Sequence, residues 1–547
     1  MTVLHQTEVD GVRCFWVETG RPTLAALLLF RQGMADEPLT ESGWLHMLEH
    51  LALHGRGGGA LHVNGSVTTL HTSFNVHGPS AGVVDQLAGI TAWLSDPTFR
   101  EFERERGVLR AEAAMRGQGT GGRAFGWRYG AQGPGLLSHD EPGMGRATPE
   151  LLAERARRVF ARQNAVLVLD GPPPEGLTLT LPEGSLLDPP PAVPVEDTLP
   201  AAYVDEGGLV LSGVVTRSAT ATLAEAVLQR SLHERLRDGE GAAYAPWATY
   251  EPVDATHALL LGGSDVLPEL LPRLADNVLQ LVEALRLGEP PPAWIDEIVE
   301  ARVQQMHDPY AATALAWRAA HFHLQRIEPQ THQEIIDELH AIDPTQVAAT
   351  LHEFAETLLL GVPGKTTWDD QLPMLTFPEG PAQREGTTYR SADWPAHEER
   401  LTVGRERLEL SVGDIARTVE IEDAAGLFVF GDGGRYLIGR DGWGIHVLPG
   451  AWRGWSDAVA ELDAAVPAHL HLPQPAREGV SHQRLSFLRR WLTSVRRPAN
   501  KVAIWSLVAA LYVAILLIAV AVDVPRLGIG LTIGLTAFIQ GVRKPGD

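Results

Sequence analysis

His46-Met47-Leu48-Glu49-His50 places two imidazoles and a carboxylate within five residues. On a helix, side chains four apart share a face, so His46 and His50 can hold one ion between them, with Glu49 beside it. Nitrogen donors of this kind suit zinc, whose catalytic sites take three protein ligands and leave a further position open. The chemistry predicted is hydrolysis, with water acidified at the open position and Glu49 as the general base that takes its proton. Trp44, Leu45, Met47, Leu48, Leu51 and Leu53 make much of the same segment apolar. Polar groups set among them need partners, and a metal supplies one.

A third ligand has to come from elsewhere in the chain. Phe102 to Glu112 reads as a charged helix in which Glu105 and Glu112, seven residues apart, lie on nearly the same face. Most acids in such a run are solvated partners of neighbouring arginines. A resemblance singles out two of them. Gly43 to Gly55, G-W-L-H-M-L-E-H-L-A-L-H-G, resembles the active-site helix of the pitrilysin/insulinase family of zinc metallopeptidases, which includes the mitochondrial processing peptidases. Asn64 to Val76 is similar to that family's active-site edge strand, and Glu105 to Glu112, E-R-G-V-L-R-A-E, to its downstream helix.

The resemblance implies one Zn2+ per chain held by His46, His50 and Glu112, with Glu49 as the general base and Glu105 as a supporting acid. It also implies that the strand around Asn64 aligns an extended substrate by pairing with its backbone. Arg237 to Tyr244 is similar to the family's Arg/Tyr substrate-binding motif, and implies that these two side chains bind a peptide carbonyl, working in trans on the zinc of another half-molecule. The expected partners are therefore a peptide or unfolded protein and a second subunit, as a homodimer or a heterodimer with a related chain. Leu70 departs from the pattern where many members carry an acid, and His54 to Gly59 replaces the usual Gly-Thr ending. A catalytically silent pitrilysin-like scaffold is the alternative reading.

The elements that must position these groups read as an α+β chain. Leu24 to Phe30 and Ala165 to Leu169 are strand candidates, Val84 to Leu94 is an amphipathic helix, and Gly117 to Gly122 is a glycine-rich turn. The pattern repeats with Leu209 to Val215 and Ala258 to Gly262 as strands and Ala221 to Arg237 and Leu267 to Leu285 as helices. Two tandem α/β lobes result, the first (1–182) bearing the zinc motif, the second spanning 201–362, with a proline-rich linker at 183–200. A second linker is expected at 363–395 and a small β-rich domain at 396–475, whose short apolar runs and one helix, Ser456 to Val466, resemble a pleckstrin-homology-like barrel; another small barrel or sandwich is the alternative.

The C-terminal part predicts a membrane anchor. A basic segment (476–501) precedes Val502 to Val522, an uncharged apolar run long enough to span, and Leu527 to Val542 is a shorter second run, either a second crossing of a 502–542 hairpin or a re-entrant segment. Arg489, Arg490, Arg496, Arg497 and Lys501 before the pair and Arg543 and Lys544 after it put both ends, and the catalytic region with them, on the cytoplasmic side of a cell membrane. The single cysteine excludes an intramolecular disulfide framework, and a net charge of −23 argues against nucleic acid as a partner.

Overall fold

The structure, a computed structural model, describes residues 2–477 apart from 117–119, 197, 206–207, 240–244, 265–269, 289, 309–310, 363–371 and 395–396. The expected membrane hairpin (502–542) and nearly all of the basic segment before it lie outside the described residues. Among the described residues no helix is long and apolar enough to cross a membrane.

The first lobe is built on six strands: β1 (His5–Val9), β2 (Val12–Trp16), β3 (Leu24–Arg31), β4 (His62–Val67), β5 (His71–Gly78) and β6 (Ala165–Leu169). Their order across the sheet is β1-β2-β6-β3-β5-β4, which leaves β4 at an edge. Both faces are covered, so β6, and β3 as far as Phe30, are apolar without alternation. Leu24, Ala26, Leu28 and Phe30 face one core, shared with helices α1 (Trp44–Leu53), α2 (Ser80–Ser95), α3 (Phe102–Arg116) and α5 (Pro149–Val159), while Leu27 and Leu29 face another. The intervening α4 (Thr120–Tyr129) leaves this lobe altogether. Gly121 and Gly122, expected in a turn, begin that helix.

The second lobe repeats the plan with β7 (Ala201–Val204), β8 (Leu209–Thr216), β9 (Trp247–Pro252), β10 (His257–Ser264) and β11 (Leu359–Val362), ordered β7-β11-β8-β10-β9. Its helices are α6 (Ala219–Leu232), α7 (Leu271–Leu287), α8 (Pro292–His307), α9 (Thr313–Leu324), α10 (His332–His340) and α11 (Pro344–Glu356). The helix expected to reach Arg237 stops at Leu232 and continues as a π-type turn, His233–Gly239.

Each lobe lends the other a helix. Ala316, Ala319, Ala320 and Leu324 of α9 pack on Phe15, Leu27, Leu29, Val166 and Val168 of the first sheet, and the small alanines let the helix lie close to it. Ala124, Phe125 and Tyr129 of α4 pack on Tyr203, Val210, Leu259 and Leu261 of the second. The fully buried Arg128 anchors this second contact by donating to the Ser212 and Thr357 carbonyls at 2.8 and 2.9 Å. With its apolar faces spent in this way, the pair of lobes is one packed body.

The third domain has two sheets. β12 (Glu379–Pro381), β13 (Thr387–Arg390), β14 (Arg400–Val403), β15 (Arg407–Val412) and β16 (Ile415–Glu420) form the first, in the order β12-β16-β15-β14-β13. β17 (Ala424–Phe430), β18 (Arg435–Gly439), β19 (Gly444–Val447) and β20 (His471–Gln474) form the second, in the order β19-β18-β17-β20. The expectation of a linker over 363–395 and a domain starting at 396 is corrected here, because β12 and β13 pair with β16 and β14. Both are short edge strands, and β12 is exposed throughout and ends in proline, so neither carries the alternation that marks a strand in sequence. The expected single helix is α12 (Trp455–Ala465), and it does not close the domain, since the chain returns to add β20 parallel to β17.

Candidate active site

The motif helix α1 is apolar on most sides and is buried at Trp44, Leu45, Met47, Leu48, Leu51 and Ala52. It begins at Gly43, whose φ of +89° favours glycine, and where a Cβ would lie 2.7 Å from Glu141 Cβ. The exposed backbone donors of its first turn are satisfied by a buried carboxylate: Gly43 and Leu45 N–H donate to Glu37 at 2.9 Å each. Burial pushes the Glu37 carboxyl up to about 8, against the opposing pull of Arg155 and these two donors.

The helix aims His46 and His50 the same way, with ring centroids 4.8 Å apart. Glu112 arrives from α3. Its carboxylate oxygens stand 3.8 Å from His46 Nε2 and 3.7 Å from His50 Nε2. Two ligands bonded at 2.0–2.1 Å to one tetrahedral ion are separated by roughly 3.3 Å, so each of these histidine–Glu112 distances is within about half an ångström of that of a ligand pair. Both histidines also have their other nitrogen engaged: His46 Nδ1 meets Glu141 Oε1 at 2.8 Å, and His50 Nδ1 meets Glu105 Oε2 at 3.3 Å. A carboxylate at Nδ1 favours the tautomer with its proton there, which turns the Nε2 lone pair to the side that zinc ligation requires. The donor set therefore fits zinc.

Glu49 also approaches the point, with Oε2 3.8 Å from His50 Nε2 and ligating atoms of His46, Glu49 and His50 within 4.8 Å of one another. Glu112 is the better third ligand, because it faces both imidazoles from a separate helix and is half exposed, whereas Glu49 is buried. Burial pushes the Glu49 carboxyl above the usual range; His50 and His46 pull it down, and Glu112 and Glu105 add to the rise.

Glu49 lies against the edge strand β4. A Cβ on Gly65 would sit 2.7 Å from both Glu49 Cγ and Cδ and would collide with Oε1. Gly65→Ala is therefore expected to push the Glu49 carboxylate from its place while leaving both histidines, and metal content, unchanged. Turnover should fall by up to about 100-fold, the scale on which a displacement near 1 Å is costly. Steady-state kinetics alongside metal analysis checks this, and an unchanged kcat would contradict it.

Asn64 is exposed on β4, paired with Asn75 of β5, on the strand whose other edge is open. Arg237 lies in the π-type turn, but its side chain, like Tyr244, is outside the described residues. The structure thus brings together His46, Glu49, His50, Glu105 and Glu112, and sets Asn64 on the neighbouring strand. Sequence reasoning missed Glu141, which is 95 residues from His46, and His54, whose Nδ1 shares Glu105 at 2.8 Å. His54 carried a signal, being one further helical step from His50; Glu141 carried none.

No protein-family model matches the chain, and neither does any curated relative. Solved structures do match. A protease from Helicobacter pylori is similar at 15% identity and a TM-score of 0.53, over 66% of this chain and 100% of its own. The first half of the periplasmic protease PqqL from Escherichia coli is similar at 14% identity and 0.51, over 68% of this chain and 94% of its own. A peptidase M16 inactive domain from Pseudomonas fluorescens is similar at 13% identity and 0.51, over 66% and 99%. At such identities the likeness establishes the fold, which an inactive domain shares, and leaves activity to the residues of the site.

Proposed function

We propose that this chain, which has the fold of the M16, pitrilysin-like peptidases, is a membrane-anchored zinc metalloendopeptidase acting on extended or unfolded polypeptides. The observation that carries this reading is the convergence of His46 Nε2, His50 Nε2 and the Glu112 carboxylate on one point, with buried Glu49 beside it. His46, His50 and Glu112 would hold the ion. Zinc bound there would supply Lewis acidity, lowering the pKa of a water and polarising a carbonyl.

The chain's own groups account for the rest. Glu49, with its carboxyl raised by burial, takes the proton from the attacking water and returns it to the leaving amine. Glu105 and Glu141 hold the two imidazoles in orientation. The open edge of β4 pairs with substrate backbone, so recognition favours extended chain over a particular sequence. Arg237 and Tyr244 are proposed to bind the substrate carbonyl from a second subunit, homologous or identical. Residues 502–542 are proposed as the anchor that keeps the peptidase lobes on the cytoplasmic face.

One finding favours a second reading, a silent scaffold that binds peptides: the fold is shared with a domain described as inactive. Metal removal separates the two. With an unstructured reporter peptide, hydrolysis should disappear after chelation and return with added zinc in proportion to zinc bound. Peptide binding without hydrolysis in the zinc-loaded chain would support the scaffold instead.

A further inference from the structure

The carboxylate that orients His46 is carried on an unusual piece of backbone. Glu141 adopts φ +50° and ψ +51°, a left-handed conformation that side chains other than glycine, asparagine and aspartate rarely take, and it opens the short turn Pro142–Gly145. A strained residue of this kind keeps its direction only where its surroundings hold it.

On one side the holder is α1 and the residues just before it. Trp44 Nε1 donates to the Gly143 carbonyl at 3.0 Å, and Gly143 N–H donates to Ser42 Oγ at 3.1 Å. On the other side it is the third domain. Gln474 Nε2 at the end of β20 donates to the Pro142 carbonyl at 2.9 Å, and the Arg146 guanidinium donates to the His469 carbonyl. Gly145 lets the Pro473 carbonyl come so near that any Cβ would collide with it. Leu472, fully buried, fills a cluster with Leu39, Ala131, Leu136 and Ile438, so the contact is packed as a core and not as a surface touch. The turn bearing Glu141 is clamped between the motif helix and the last strand of the third domain.

We propose that the third domain is a working part of the metal site: β20 fixes the Glu141 turn, and Glu141 thereby positions His46 for coordination. Glu141 is a positioning residue in this scheme, and the role rests on the zinc reading above.

The test is zinc affinity of the full chain, read by competition with a chromophoric chelator, with thermal unfolding measured in parallel. Removing the partner of a ligating histidine typically costs about 10–100-fold in metal affinity, and Glu141→Ala should show that loss. Glu141→Gln, which keeps an oxygen to accept from Nδ1–H, should recover most of it. Gly145→Ala and Gln474→Leu, which disturb the clamp and touch neither histidine, should each weaken zinc by several-fold, whereas Arg417→Ala on β16, paired with Glu379 away from the turn, should not. If Gly145→Ala does not fold, Gln474→Leu decides the matter. Clamp variants with unchanged zinc affinity, whatever their thermal stability, would overturn the proposal and leave the zinc site standing; a wild-type chain that binds no zinc would instead remove the reading beneath it.

Discussion

His46→Ala should lower bound zinc from about one ion per chain to almost none, and hydrolysis of an unfolded peptide should fall by a factor on the order of 10³ or more. Two ligands would remain, on α1 and α3. Neither His50 nor Glu112 can make up the loss, since each already faces the shared point, at 3.7 Å from the other. The substitution also removes the His46 contact of Glu141, so a change in stability can accompany the loss of metal. Metal analysis of folded protein, confirmed by circular dichroism, separates the two effects. Retained zinc in a folded His46→Ala chain would exclude His46 as a ligand.

Glu49→Gln should have the opposite profile, with zinc retained at about one per chain and hydrolysis reduced by roughly 10²–10⁴-fold. Gln has nearly the same shape, so it keeps the packing against Gly65 that a larger β4 residue would disrupt. It is also neutral, and burial at 4% exposure does not penalise it as it does the carboxylate. The variant should therefore fold at least as well as the parent and bind peptide without cleaving it. Unchanged hydrolysis would remove Glu49 from the role of base, and loss of zinc would make it a ligand.

The parts of this site that were legible in sequence are those encoded by spacing. His46 and His50 share a face because they are four apart, and Glu105 and Glu112 because they are seven apart; the helices Trp44–Leu53 and Phe102–Arg116 place them accordingly. Glu141 was not legible. It reaches His46 from a strained turn with no periodicity, and nothing in residues 139–145 signals that the turn is clamped by a strand more than three hundred residues later.

The same distinction runs through the fold. Strands with an apolar pattern, such as Leu24–Arg31, Ala165–Leu169 and Leu209–Thr216, stand close to where their sequences put them. The exchange of α4 and α9 between lobes was invisible, because an apolar helix face records that it will be buried and not which sheet will bury it. The exposed strand Glu379–Pro381 has no apolar face at all, so its sequence is indistinguishable from a linker.

The most direct test of the metal site is a crystal structure of the zinc-loaded chain with diffraction recorded on both sides of the zinc absorption edge. One anomalous peak per chain is expected, within about 2.0–2.2 Å of His46 Nε2, His50 Nε2 and a Glu112 carboxylate oxygen. A peak elsewhere, or none at this point in zinc-saturated crystals, would contradict it.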